Sequence, residues 1–172
     1  MRNTLIINVF GTSHVKKSTI CAYIFALLKM QGIETELCTE FGDEEYNQFY
    51  LAGRRSLKIS NLYGKTDVIV NEYPVLCGCF DIDNKYLKSV IVNDFMYYAN
   101  SNINILLRDA HVNNDYSEDE QKIINVLHLK DIESDYEEIP YFEIESTQDG
   151  ANKVVELILK ILNNLKNNEE QC

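Results

Sequence analysis

Leu5, Ile6, Ile7, Asn8, Val9 and Phe10 form a nearly unbroken apolar run that stops at Gly11. A short, β-branched run with no polar face predicts a strand buried on both sides, as at the centre of a parallel sheet. Beyond the polar stretch 11–16 the period changes. Ile20, Tyr23, Ile24, Leu27 and Leu28 recur at helical spacing, and Gln31-Gly32 supplies the stop. Residues 33–39 then alternate through Ile33, Thr35 and Leu37, which predicts a second strand. Strand, loop, helix and strand make a βαβ unit.

The alternation continues to the end of the chain. Residues 44–62 read as a polar helix carrying Arg54, Arg55 and Lys58. A third strand over 67–70 ends at Asn71-Glu72-Tyr73-Pro74. A helix over 85–99 and a strand over 103–107 follow. Ser117-Glu118-Asp119-Glu120 has Ser at a cap and Glu three residues on, a capping box that opens a helix running toward residue 130. A short strand at 141–144 precedes a helix over 150–165, where Val154, Val155, Ile158, Ile161, Leu162 and Leu165 share a face. The expectation is one α/β domain over 1–165 with a polar tail at 166–172. Its five-stranded parallel sheet would carry helices on both faces and a ligand crevice at the carboxyl ends of the strands.

At 172 residues the chain suits one domain. Sixteen Lys and Arg stand against 27 Asp and Glu, a formal charge of −11, which argues against nucleic acid or an anionic membrane as partner. The apolar run at the N-terminus is too short for a signal peptide, and no later segment approaches membrane-spanning length, so a cytoplasmic protein is expected. Cys21, Cys38, Cys77, Cys79 and Cys172 lack zinc-binding spacing and read as free thiols, mostly core filler.

The chemistry concentrates after the first strand. Gly11-Thr12-Ser13-His14-Val15-Lys16-Lys17-Ser18 follows the phosphate-loop pattern G-x-x-x-x-G-K-[ST], except that Lys16 stands at the second glycine. Such a loop wraps backbone N–H groups around a phosphate at a helix N-terminus, with a Lys on phosphate and a hydroxyl on Mg²⁺. Lys17 and Ser18 fill those roles, and Thr19 is a spare hydroxyl. Lys16 carries a Cβ where the backbone favours none, at a cost of about 1–2 kcal/mol. A polar loop that merely caps a helix is the alternative. The position between a buried strand and an amphipathic helix favours the phosphate loop.

On these residues the chain resembles small phage-encoded P-loop ATPases and nucleotide-kinase-like proteins, related to nicotinamide-riboside-kinase domains. The similarity runs from about Asn3 to Leu165. Besides the loop, it rests on Glu36-Leu37-Cys38-Thr39-Glu40, on the spacing from Gln48 to Asp67, and on Asn71-Glu72-Tyr73-Pro74, where the family has Thr-Asp-Ser-Pro. The resemblance implies a P-loop NTPase fold of the nucleoside/nucleotide-kinase type, with strand order 2-3-1-4-5 and the first strand central. It also implies ATP, or another nucleoside phosphate, bound with Mg²⁺. Lys17 would contact phosphate, and Ser18 and Glu72 would hold the metal. Glu72 is one methylene longer than the family's Asp. Glu40 would face an acceptor hydroxyl, or else is an exposed strand-end carboxylate. Arg108 matches an Arg after the fourth strand, or else makes a surface ion pair.

Residues 109–120, where related kinases place lid arginines, hold five acids and no Arg or Lys. An acidic lid opposes phosphoryl transfer. His14, His111 and His128 lack a paired nucleophile and read as surface or packing residues. Two functions follow from the resemblance. One is a weak kinase of a small nucleoside or nucleotide. The other is a catalytically silent binding protein that holds a nucleotide, or a host protein against its acidic, Tyr-rich surface.

Overall fold

A computed structural model describes residues 3–39, 47–109, 116–130, 132 and 138–169. In it β1 (Leu5–Phe10) is buried at every position. It lies between β3 (Val68–Asn71) and β4 (Asn102–Arg108), parallel to both. β2 (Thr35–Cys38) pairs with β3, and β5 (Phe142–Glu145) pairs with β4, again in parallel. The order is therefore β2-β3-β1-β4-β5. This is the expected P-loop kinase-type layout, with the first strand in the middle.

Strand alternation sends successive side chains of β1 to opposite faces. Ile7 and Val9 join a core with Ile24 and Leu28 of α1 (Lys17–Met30) and Val154 and Ile158 of α5 (Gln148–Glu169). On the other face Phe10 packs with Ile91 and Phe95 of α3 (Lys85–Met96) and Leu127 of α4 (Glu118–Leu127). Ile6 meets Ile59 of α2 (Gln48–Leu62) there. Both faces of the sheet are covered, as a parallel sheet requires.

Several boundaries differ from the expected ones, each for a local reason. The second helix starts at Gln48 rather than 44, because the Asn47 side chain accepts from the Phe49 N–H at 2.8 Å and caps it. α3 ends at Met96 and gives way to a 3₁₀ turn at Ala99–Ser101. α4 has the expected capping box but stops at Leu127, ahead of Leu129, which takes a left-handed φ of 51°. The final strand is displaced by one residue. α5 starts at Gln148, where the Thr147 hydroxyl accepts from the Gly150 N–H at 3.0 Å, and it runs to Glu169. Residues 166–169 of the expected polar tail are thus helical.

One feature of the sheet has no counterpart in the hydrophobic pattern. Asn8 stands in register with Asn71 on one side and Asn104 on the other, and all three are buried. Asn71 Nδ2 donates to Asn8 Oδ1 at 3.0 Å, and Asn8 Nδ2 donates to the Oδ1 atoms of Asn102 and Asn104, each at 3.1 Å. Asn104 Nδ2 in turn donates to the Pro140 carbonyl at 3.0 Å. A satisfied polar row across three strands specifies their register, since a one-residue slip would leave every amide unpaired.

Cys21, Cys38 and Cys79 are buried and Cys77 half-buried, all as free thiols. Cys172 lies outside the described residues. Among the described residues, no helix is long and apolar enough to cross a membrane.

Candidate phosphate-binding site

The loop begins where β1 ends. A Cβ on Gly11 would lie 2.7 Å from Val15 Cγ2 and 3.3 Å from Leu107 Cβ, so any other residue here would force Val15 to shift. Ser13–Val15 forms a short 3₁₀ turn. Val15 is buried beneath it, and the Ser146 hydroxyl donates to the Val15 carbonyl, tying the loop to the segment between β5 and α5. Lys16 then takes φ 48° and ψ 40°, the left-handed conformation. Gly would adopt it freely; for Lys it costs about 1–2 kcal/mol. α1 starts at the next residue with no side-chain cap and no acid in its first turn. Its N-terminal end, with its partial positive charge, is left to an anion.

Across the loop stands the end of β3. The Ser18 hydroxyl donates to the carboxylate of Glu72, which is buried. The Glu72 backbone N–H donates to the Cys38 carbonyl at 2.9 Å, which anchors the segment to β2. Lys17 Nζ lies 3.8 Å from the centre of the Tyr73 ring, and Arg55 Cζ lies 5.6 Å from the same ring. Behind this cluster the Cys21 thiol has its pKa pushed up to about 12, by burial first and by the charge of Glu72 second, with Lys17 opposing.

A cleft of about 570 Å³ opens beside them; Lys17, Ser18, Arg55 and Tyr73 line it, and Glu72 does not. Of the residues expected in the site, Gly11, Thr12, Lys16, Lys17, Ser18 and Thr19 line it. Val15 packs below the loop and His14 is exposed. Ser13 contributes backbone to the 3₁₀ turn. Glu40 lies outside the described residues, as do residues 110–115 of the acidic lid, His111 among them.

Arg108 does not line the cleft. Its Nη1 is 3.4 Å from Glu143 Oε2, its Nε is 3.7 Å from Glu120 Oε1, and its Cζ is 4.2 Å from the Tyr116 ring centre. The cation that reaches the cleft from α4 is Lys122, two residues beyond the acidic stretch and bonded to Asp119 at 2.9 Å. Three cleft residues, Arg55, Tyr73 and Lys122, carry no role in the sequence reading, although Arg55 falls within the Gln48 to Asp67 stretch and Tyr73 within Asn71-Glu72-Tyr73-Pro74. Arg55 shares a helix face with Leu51, Ala52 and Ile59, all buried.

The Ser18 hydroxyl and the Glu72 carboxylate are hard oxygen donors already in contact. That pair suits Mg²⁺, which binds through one or two protein oxygens and takes its other ligands from phosphate and water. Among the described residues, no group of three or more His, Cys, Asp or Glu could hold a metal ion.

No family model matches the sequence, and no curated protein matches it either. Solved structures similar to this chain include a gluconokinase from Sinorhizobium meliloti, at 11% identity and TM-score 0.46, covering 96% of this chain and 98% of that one. Deoxyadenosine kinase from M. mycoides, with dCMP and dCDP bound, is 17% identical at TM-score 0.45, covering 94% of this chain and 100% of that one. The YorR protein of Bacillus subtilis, in complex with phosphorylated GDP, is 13% identical at TM-score 0.47, covering 92% and 95%. The likeness is one of chain path.

Proposed function

We propose that the chain binds a nucleoside polyphosphate, such as ATP, at residues 11–19, and that phosphoryl transfer from it to a small nucleoside or nucleotide is weak or absent. The observation that carries the binding is Lys16: the loop keeps a left-handed residue at its last position although the glycine is gone. Strained backbone of this kind persists where the surroundings over-determine it, and such places cluster at ligand sites. Backbone N–H groups at the start of α1 would cradle the phosphates, and Lys17 would turn from Tyr73 to meet them. Ser18 and Glu72 would hold Mg²⁺, which when bound neutralises phosphate charge.

A binding role without turnover is favoured by Arg108. Its guanidinium is engaged by Glu120, Glu143 and Tyr116, while Lys122 is engaged by Asp119. Among the described residues, neither supplies a disengaged cation for charge developing on a transferred phosphoryl group. Calorimetric titration with ATP and ADP, with and without Mg²⁺, tests the binding. Wild type should bind, Lys17→Ala should lose at least about tenfold in affinity, and Glu72→Gln should lose the effect of Mg²⁺. A wild-type protein that binds neither nucleotide would overturn the reading. Incubation with ATP, Mg²⁺ and a panel of nucleosides and monophosphates tests turnover. Rates of about 1 s⁻¹ or faster, ordinary for kinases, would show that the site is a working catalyst.

A further inference from the structure

Lys16 stands where the loop pattern calls for glycine, so it brings an ammonium as well as a left-handed backbone. Lys16, Lys17, Arg55 and Lys122 are the cations that line the cleft. Lys17 Nζ lies 3.8 Å from the centre of the Tyr73 ring, and Lys122 is bonded to Asp119 at 2.9 Å. Arg55 is buried. The Lys16 side chain is exposed, and its ammonium makes no ion pair, hydrogen bond or ring contact among the described residues. Of these cations it alone is both open to a ligand and disengaged.

The acids of the cleft are placed away from it. Asp81 and Asp119 line the cleft, and both act on Lys122, Asp119 through its bond and Asp81 through its charge. α1 has no acid in its first turn. Glu72 does not line the cleft, and its carboxylate takes the Ser18 hydroxyl. The loop wall is therefore positive at Lys16 and Lys17, in a chain whose formal charge is −11. Walls of low dielectric focus such a field on an entering anion. A polyphosphate without Mg²⁺ is more negative than its Mg²⁺ complex by the charge of the ion. A fixed ammonium beside the phosphates attracts the metal-free form more strongly.

We propose that Lys16 is a specificity-determining residue of the loop: its ammonium contacts the phosphates and shifts the site toward the metal-free polyphosphate, supplying positive charge that Mg²⁺ otherwise brings. The proposal deepens the reading of residues 11–19 as a nucleoside polyphosphate site and rests on it. Lys16 binds the ligand and takes part in no bond making.

Calorimetric titration of the full chain with ATP and ADP, each with Mg²⁺ and with EDTA, tests it. Lys16→Met keeps the Cβ and the reach, so the backbone strain stays and only the charge is lost. An exposed ion pair changes affinity by about 1.4- to 5-fold, and the metal-free ligand presents more than one such charge. Lys16→Met should weaken metal-free ATP by about fivefold or more and the Mg²⁺ complex by less than about twofold. The factor by which Mg²⁺ improves binding should grow accordingly. Lys16→Arg should restore the wild-type factor, and Lys16→Gly, which relieves the strain but also removes the charge, should show the enlarged one. The loss in Lys16→Met should shrink as NaCl rises from about 50 mM to about 500 mM, as a screened contact must. Equal weakening of both ligand forms, independent of salt, would mean that Lys16 only shapes the loop, and overturns the proposal. Binding by wild type that is unchanged in Lys16→Met also overturns it, and leaves the phosphate site standing without Lys16. A wild-type protein that binds no nucleotide in either condition overturns both readings.

Discussion

The Nζ of Lys17 lies 3.8 Å from the centre of the Tyr73 ring, so the ammonium that we propose meets a phosphate is already occupied by an aromatic face. Such a contact is worth about 0.5–1 kcal/mol when exposed and about 2 kcal/mol when desolvated. A phosphate arriving at the loop has to draw the side chain away. Tyr73→Leu should therefore tighten ADP binding by about 2- to 30-fold, while Tyr73→Phe should leave it unchanged. Titration of the three proteins decides it, and equal affinities would show that the ring takes nothing from binding.

The left-handed conformation of Lys16 is part of the fold of the loop, where it costs stability. Relief should then appear mainly as stability. Lys16→Gly removes about 1–2 kcal/mol of strain. The greater freedom of glycine in the unfolded chain gives back about 0.4–1 kcal/mol. The expected net is a melting temperature higher by about 2–4 °C, for a gain near 1 kcal/mol in a domain of this size. An unchanged or lower melting temperature would mean that the Lys16 side chain makes a compensating contact.

Asn8 holds the row that joins β3, β1 and β4. Asn8→Ala strands a buried donor on Asn71 and leaves the acceptors of Asn102 and Asn104 unserved. Each buried group left without a partner costs about 1–3 kcal/mol. The variant should lose at least about 2 kcal/mol in urea denaturation, with the slope unchanged. A loss below about 0.5 kcal/mol would place water in the row.

Burial pushes the thiols of Cys21 and Cys79 up to about 12 from an ordinary value of 9.0. The folded-state value is the raised one, so their contribution to stability is whole below about pH 9. It is lost as pH rises toward 12, because the unfolded chain gives up its protons first. Each thiol should account for about 1.4 kcal/mol per pH unit in that window. Denaturation of wild type and Cys21→Ala at pH 8 and pH 11 checks it. The stability advantage of wild type should shrink at the higher pH, and a constant difference would contradict the shift.

Gly11 leaves no room for a side chain: an added Cβ meets Val15 Cγ2 at 2.7 Å. Gly11→Ala should destabilise the fold by about 1–3 kcal/mol, the usual range for overpacking. It should also weaken nucleotide binding by displacing the loop. Thermal melts and titration together report both effects. A fully stable Gly11→Ala protein with unchanged binding would show that the loop can move aside at no cost.

The layout was legible because local patterns and global fold agree. The run ending at Phe10 has no polar face, and only a central parallel strand buries such a segment on both sides. Helical spacing after it, and the Gly11 to Ser18 motif between the two, located the loop to the residue. The capping box at Ser117 and Glu120 is likewise written in four consecutive letters. Helix ends were less legible, since α2 and α5 begin where single side chains, Asn47 and Thr147, happen to reach a backbone N–H.

What only the tertiary structure decided is which charges are engaged and which are not. Arg55 and Arg108 look alike in the sequence, and the family resemblance singled out Arg108. Folding brought Glu120 and Glu143 to Arg108 from α4 and β5, and enclosed Arg55 with its Nε and Nη1 unmet. Asn8 interrupts an otherwise apolar strand, and the parallel register sets Asn71 and Asn104 beside it. Periodicity along a chain reports which face a residue occupies, because that follows from backbone geometry. The partner of a polar group comes from a distant segment, and only the packed fold determines which one arrives.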